Sequence, residues 1–103
     1  MIRHIVMWKL KDEAEGAPKE KNAQKLKLIL EGLRTNIDEI KAVEVGIQTN
    51  PDAEEALDVV LICDFETLLD FQMYTRNPHH QKAVNFIESV AEKRYFVDYK
   101  MDL

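Results

Sequence analysis

Cysteine, glycine and positive charge are all scarce in this chain. The 103 residues include one cysteine, three glycines and three prolines. A single cysteine, Cys63, excludes an internal disulfide, and with no signal peptide in view it reads as belonging to a cytoplasmic protein. Three glycines are too few for a nucleotide cradle. There is no Gly-x-Ser-x-Gly turn to present a nucleophile, no phosphate-binding glycine loop and no cysteine cluster. Lysine and arginine number 14 against 19 acids, for a net charge of −5. No basic run stands free of acids, which argues against nucleic acid or an anionic membrane as partner. No apolar run spans a bilayer: Met1 to Leu10 is too short and carries Arg3, His4 and Lys9. Repeats, linkers and low-complexity stretches are missing as well. What remains is one domain, residues 1–103, whose 46% hydrophobic content supplies a single core.

The pattern of that content predicts six main elements. Ile2 to Leu10 reads as a strand with His4, Val6, Trp8 and Leu10 on one face and Arg3, Ile5, Met7 and Lys9 on the other. Asp12 to Lys19 reads as a polar turn. A helix follows from about Pro18 to Arg34, burying Ala23, Leu26, Ile29, Leu30 and Leu33. Val43 to Ile47 alternates as a second strand. Leu57 to Phe65 forms a third, with Leu57, Val59, Leu61, Cys63 and Phe65 inward. Thr67-Leu68-Leu69-Asp70 fits a capping box that opens a short helix to about Arg76. Asn77-Pro78 starts the next helix, to about Lys93, because asparagine caps well and proline suits the first helical position. Arg94 to Met101 closes the chain as a strand.

The order strand, helix, strand, strand, helix, strand gives an α+β, ferredoxin-like fold: an antiparallel four-stranded sheet with helices on one face. Ile5, Met7, Val60 and Ile62 would then lie on the bare face. Covering it with a second copy of the chain makes a homodimer the expected state. The buried Cys63 is expected to be inert.

The candidate site centres on Tyr74-Thr75-Arg76-Asn77-Pro78-His79-His80. Counting from Asn77, His80 takes the third helical position and heads an apolar stripe with Ala83, Val84, Ile87, Val90 and Ala91. It should point inward from a helix end that disfavours its protonation. A neutral imidazole in an apolar pocket can act as a base near pH 7. Tyr74 brings a phenol to the same place, while His79, about 100° round the helix, should face solvent. His4 shares its strand face with Val6 and Trp8. Asp98 is an acid among aromatics, placed to fix the tautomer of His80. Strand parity leaves Asp98 open, because Tyr95, Val97 and Tyr99 make an equally good inner set. The competing readings are a core histidine for His80 and solvated or sheet-end positions for Asp98 and His4. A two-histidine, one-carboxylate metal site from His4, His80 and Asp98 has no local spacing behind it, so no metal or cofactor is expected.

The opening Ile2-Arg3-His4-Ile5-Val6, the Tyr-x-x-Asn-Pro-x-His stretch from Tyr74 to His80, and the closing Val97-Asp98-Tyr99 together resemble the stress-responsive A/B barrel proteins, which are dimeric α/β barrels. The resemblance covers nearly the whole chain. The family pattern is Tyr-x-x-His-Pro-x-His, and this sequence departs from it at Asn77. The family includes a plant polyketide cyclase, olivetolic acid cyclase, in which a tyrosine and the last histidine of the motif carry an aldol cyclisation. By position the resemblance implies such roles for Tyr74 and His80, and supporting ones for His4 and Asp98. Three functions follow as expectations. The first is a cyclase- or lyase-type enzyme acting on a carbonyl compound. The second is a stress-related binding protein for an apolar small molecule. The third, by fold analogy alone, is a monooxygenase.

Overall fold

The computed structural model describes residues 1–101. In chain order the elements are β1 (Ile2–Leu10), β2 (Glu13–Ala14), β3 (Ala17–Pro18), α1 (Lys19–Asn36), β4 (Ile40–Ile47), β5 (Val59–Phe65), α2 (Leu68–Arg76), α3 (Pro78–Val90) and β6 (Ala91–Lys100). The main sheet runs β4-β5-β1-β6 with every neighbouring pair antiparallel, and the helices cover one face. This is the ferredoxin-like α+β arrangement. No helix among the described residues is long and apolar enough to cross a membrane.

The core forms where strand and helix periodicities meet. Val6, Trp8 and Leu10 of β1 and Val59, Leu61, Cys63 and Phe65 of β5 are buried beneath Ala23, Leu26, Leu30 and Leu33 of α1. Ile29 is only partly buried, at the edge of that stripe. Burial in this apolar layer pushes the Cys63 thiol up to about 12, which disfavours the nucleophilic thiolate. The opposite sheet face carries Met7, Tyr95, Val97 and Tyr99, which remain exposed in the single chain.

Several boundaries differ from the sequence reading. The polar turn at Asp12 to Lys19 is a small hairpin. Its two-residue loop, Glu15–Gly16, has φ of 52° and 71°, the positive pair that a tight hairpin turn of matching twist requires. Asn22 ties the hairpin to α1 by donating from Nδ2 to the carbonyls of Ala14 (2.9 Å) and Ala17 (3.3 Å). Strand β4 starts earlier than expected because Ile40 pairs with Phe65 and is buried there. Helix α3 ends at Val90, and β6 begins at Ala91 rather than Arg94. Pairing with β1 reaches Leu10↔Ala91 and draws three residues of good helical propensity into the sheet.

Leu57 lies outside β5, which starts at Val59, because Asp58 serves as a corner post. The Asp58 N–H donates to the Trp8 carbonyl (2.8 Å), and its carboxylate accepts the Leu10 N–H at 2.7 Å. Lys19 Nζ stands 3.5 Å from the same carboxylate. Asp58→Ala would strand a buried donor at the point where the β1–β6 register shifts. We expect a loss of about 1–3 kcal/mol in chemical denaturation.

Candidate functional site

Helix α2 ends at Arg76 because Asn77 is extended (φ −69°, ψ 135°), and its side chain accepts the His79 N–H at 2.9 Å to start α3. The break folds the end of α2 against the start of α3. It sets the Tyr74 and His80 rings 4.4 Å apart between centroids, tilted by 54°. Tyr74 is buried and His79 is exposed. Around Tyr74 lies an aromatic cluster: Phe65 at 4.9 Å, Phe71 at 6.2 Å and His4 at 6.2 Å.

These groups border a cavity of about 320 Å³ between the helices and the sheet. His4, Tyr74 and His80 line it, with Val6, Trp8, Leu30, Leu61, Ala83, Val84, Ile87, Glu88 and Arg94. Val84 and Ile87 of the α3 stripe are only partly buried because they face this space instead of solid core. Phe71 and Phe86, which could have filled it, are engaged elsewhere. Phe71 packs on His4 and Phe65, and Phe86 lies under Lys25 Nζ at 4.8 Å.

Sheet register decides the partner of Asp98. Opposite residues of an antiparallel pair share a face, and β1 pairs with β6 through His4↔Asp98, Val6↔Phe96 and Trp8↔Arg94. Asp98 therefore falls on the helix-covered side, and Tyr95, Val97 and Tyr99 fall on the bare side. The expectation that Asp98 would orient His80 is corrected: its carboxylate is hydrogen-bonded to His4 Nδ1. A carboxylate accepts, so His4 carries its proton on Nδ1 and leaves Nε2 as the other ring position. Neither His4 nor Asp98 is bonded to His80, whose Nδ1 is buried with no hydrogen-bond partner among the described residues.

The electrostatics differentiate the pair. Burial lowers the His80 pKa from its usual 6.5; the nearby Thr75 backbone opposes this, and the nearby His4 and Arg94 add to it. His80 is thus a neutral imidazole at pH 7. Burial pushes the Tyr74 phenol well above its usual 10, so Tyr74 keeps its proton and is a donor. A neutral acceptor and a neutral donor side by side can take a proton from a C–H acid and hydrogen-bond the oxygen that gains charge. No cluster of three or more His, Cys, Asp or Glu side chains among the described residues could hold a metal ion, so His4, His80 and Asp98 do not converge as a metal triad.

Three polar lining groups escaped the sequence reading: Glu88, Arg94 and the Trp8 indole N–H. Arg94 has the parity of Asp98, so choosing the Phe96–Asp98 face as inner would have found it. The Trp8 indole N–H is buried without a partner among the described residues, which no local pattern signals.

The comparisons bear on the whole domain. The chain covers 97% of itself and 95% of a dimeric ferredoxin-like protein of unknown function from Bacteroides fragilis, at 31% identity and a TM-score of 0.82. A hydroxynitrile lyase from Passiflora edulis aligns over 98% of this chain and 93% of its own, at 19% identity and a TM-score of 0.80. A protein provisionally named as an antibiotic biosynthesis monooxygenase, from Nitrosomonas europaea, aligns over 98% of both chains at 15% identity and a TM-score of 0.70. At these two lower identities the likeness is one of fold. No curated protein matches. The model of the stress-responsive A/B barrel domain matches residues 2–101, and the chain belongs to that family.

Proposed function

We propose that the chain works as a homodimer and is a small-molecule enzyme of lyase or cyclase type acting on a carbonyl compound. The observation that carries this reading is a neutral His80 whose ring stands 4.4 Å from that of Tyr74, centroid to centroid, with both side chains lining the cavity. His80 takes the proton α to the carbonyl, and Tyr74 donates to the oxygen of the resulting enolate. His4, held by Asp98, positions the bound molecule. A hydroxynitrile lyase among the neighbours of this fold supports the lyase reading, and the dimeric neighbour supports the second copy.

The apolar part of the lining, from Val6 through Ile87, favours a second reading: a binding protein that holds an apolar molecule without turnover. The pH dependence of proton exchange tests the first against it. With methyl 3-benzoylpropionate in deuterated water, exchange at the carbon beside the ketone should be catalysed and level through pH 7. Because burial depresses the His80 pKa, the basic form persists below pH 6.5 and the rate falls only on the acid side of that value. Tyr74, raised above 10, adds no alkaline limb below that pH. Exchange at the solvent rate would count for binding alone, and an acid limb above 6.5 would take the base role from His80.

A further inference from the structure

The cavity has a polar end that the acid–base pair does not use. Trp8 is 2% exposed, and its Nε1–H has no partner among the described residues. A buried donor left unmade costs free energy, so its place on a cavity wall points to an acceptor supplied from outside. Directly across the β1–β6 pair stands Arg94, on the same sheet face and also on the cavity wall. Opposed residues of this kind have Cβ atoms about 4.5–5.5 Å apart, so the Trp8 and Arg94 side chains leave the sheet side by side. Arg94 makes no ion pair among the described residues. Its guanidinium lies over the Phe96 ring at 4.5 Å. Glu88, the one acid on the lining, is exposed on the last turn of α3 and does not pair with it. The positive charge is also felt at both rings: it adds to the lowering at His80 and works against the rise that burial gives Tyr74.

We propose that Trp8 Nε1–H and Arg94 form a carboxylate subsite, so that the ligand class is a carbonyl compound bearing an acid group. Arg94 presents two N–H donors to the two oxygens, and the indole adds a third from the sheet floor. The anion enters at the exposed Arg94 side, and the carbonyl lies toward His80 and Tyr74. This inference rests on the acid–base reading for the carbonyl end only; the acid subsite is specified by Trp8 and Arg94.

The test compares 3-benzoylpropionate with its methyl ester, which has the same ketone and no charge. Trp8 is the only tryptophan, so one indole N–H cross-peak in a nitrogen–proton spectrum reports on it alone. The acid should bind roughly tenfold more tightly than the ester and move that cross-peak downfield, while the ester should not. Arg94→Gln should bind both alike, and Arg94→Lys should restore part of the preference. Equal binding of acid and ester by the wild type, binding of neither, or a preference that survives in Arg94→Gln would overturn the subsite. These measurements require no turnover. Acid preference without catalysed exchange would leave the subsite standing and remove the acid–base reading. Catalysed exchange without acid preference would do the reverse.

Discussion

Ile62→Asp yields a monomer of much reduced stability. Ile62 lies on β5 with its side chain on the helix-free face, opposite Ile5 on β1 and Glu44 on β4. The same face carries Met7, Val97 and Tyr95 on neighbouring strands, and in a single chain Tyr95 and Val97 remain about half exposed (48% and 51%). A contiguous apolar patch of that kind marks an interface, and in the proposed homodimer a second copy of the same face covers it with two-fold symmetry. Lys9 and Lys93 sit opposite each other near the strand ends, where their stems can lie along apolar surface and their ammonium groups reach water. An aspartate at the centre of the seam gains the repulsion of Glu44, and Arg3, the cation diagonal to it, is already held bidentate by Asp64 at 2.8 and 3.0 Å. An uncompensated buried charge costs on the order of 3–5 kcal/mol per protomer, enough to separate the copies. Ile62→Val, which only trims a methyl group, should stay dimeric at a cost of about 0.5–1.5 kcal/mol. Sedimentation at micromolar concentration with chemical denaturation reads both. A dimeric Ile62→Asp protein as stable as the wild type would mean that the face is wrongly assigned.

His80→Ala should lower catalysed proton exchange by roughly 10²- to 10⁴-fold, the usual contribution of a positioned general base. The substitution leaves the cap intact, since Asn77 accepts from the His79 backbone and not from His80. The fold and the ligand affinity should therefore survive while the rate does not. Tyr74→Phe removes the donor to the oxyanion and should cost about 10²- to 10³-fold, with its ring still packed on Phe65. Affinity lost together with rate in His80→Ala would make His80 a binding residue. A rate that survives would make it a core histidine.

Much of this site could be read from short stretches of sequence. Asn77-Pro78 fixes where α3 starts, and the start fixes which way His80 points, because helical geometry is local. Alternation along β1 likewise placed His4 beside Val6 and Trp8. The partner of Asp98 could not be read that way. Both faces of Tyr95-Phe96-Val97-Asp98-Tyr99 carry aromatics, so only the long-range register His4↔Asp98 decides which is inner. Asp58 and Asn22 were illegible for a related reason: each is buried by bonding backbone groups of other elements, Leu10 N–H for one and the hairpin carbonyls for the other. The start of β6 was misplaced because Glu92 and Lys93 suit a helix, and the strand pairing that overrides them comes from β1.

The central claim is that His80 removes a proton from a bound carbonyl compound. Its most direct test follows deuterium entering the carbon beside the ketone of methyl 3-benzoylpropionate at pH 7, by proton NMR, with wild type and His80→Ala at equal ligand occupancy. The account predicts incorporation well above the solvent rate in the wild type and near that rate in the variant. Equal incorporation in the two proteins would contradict it.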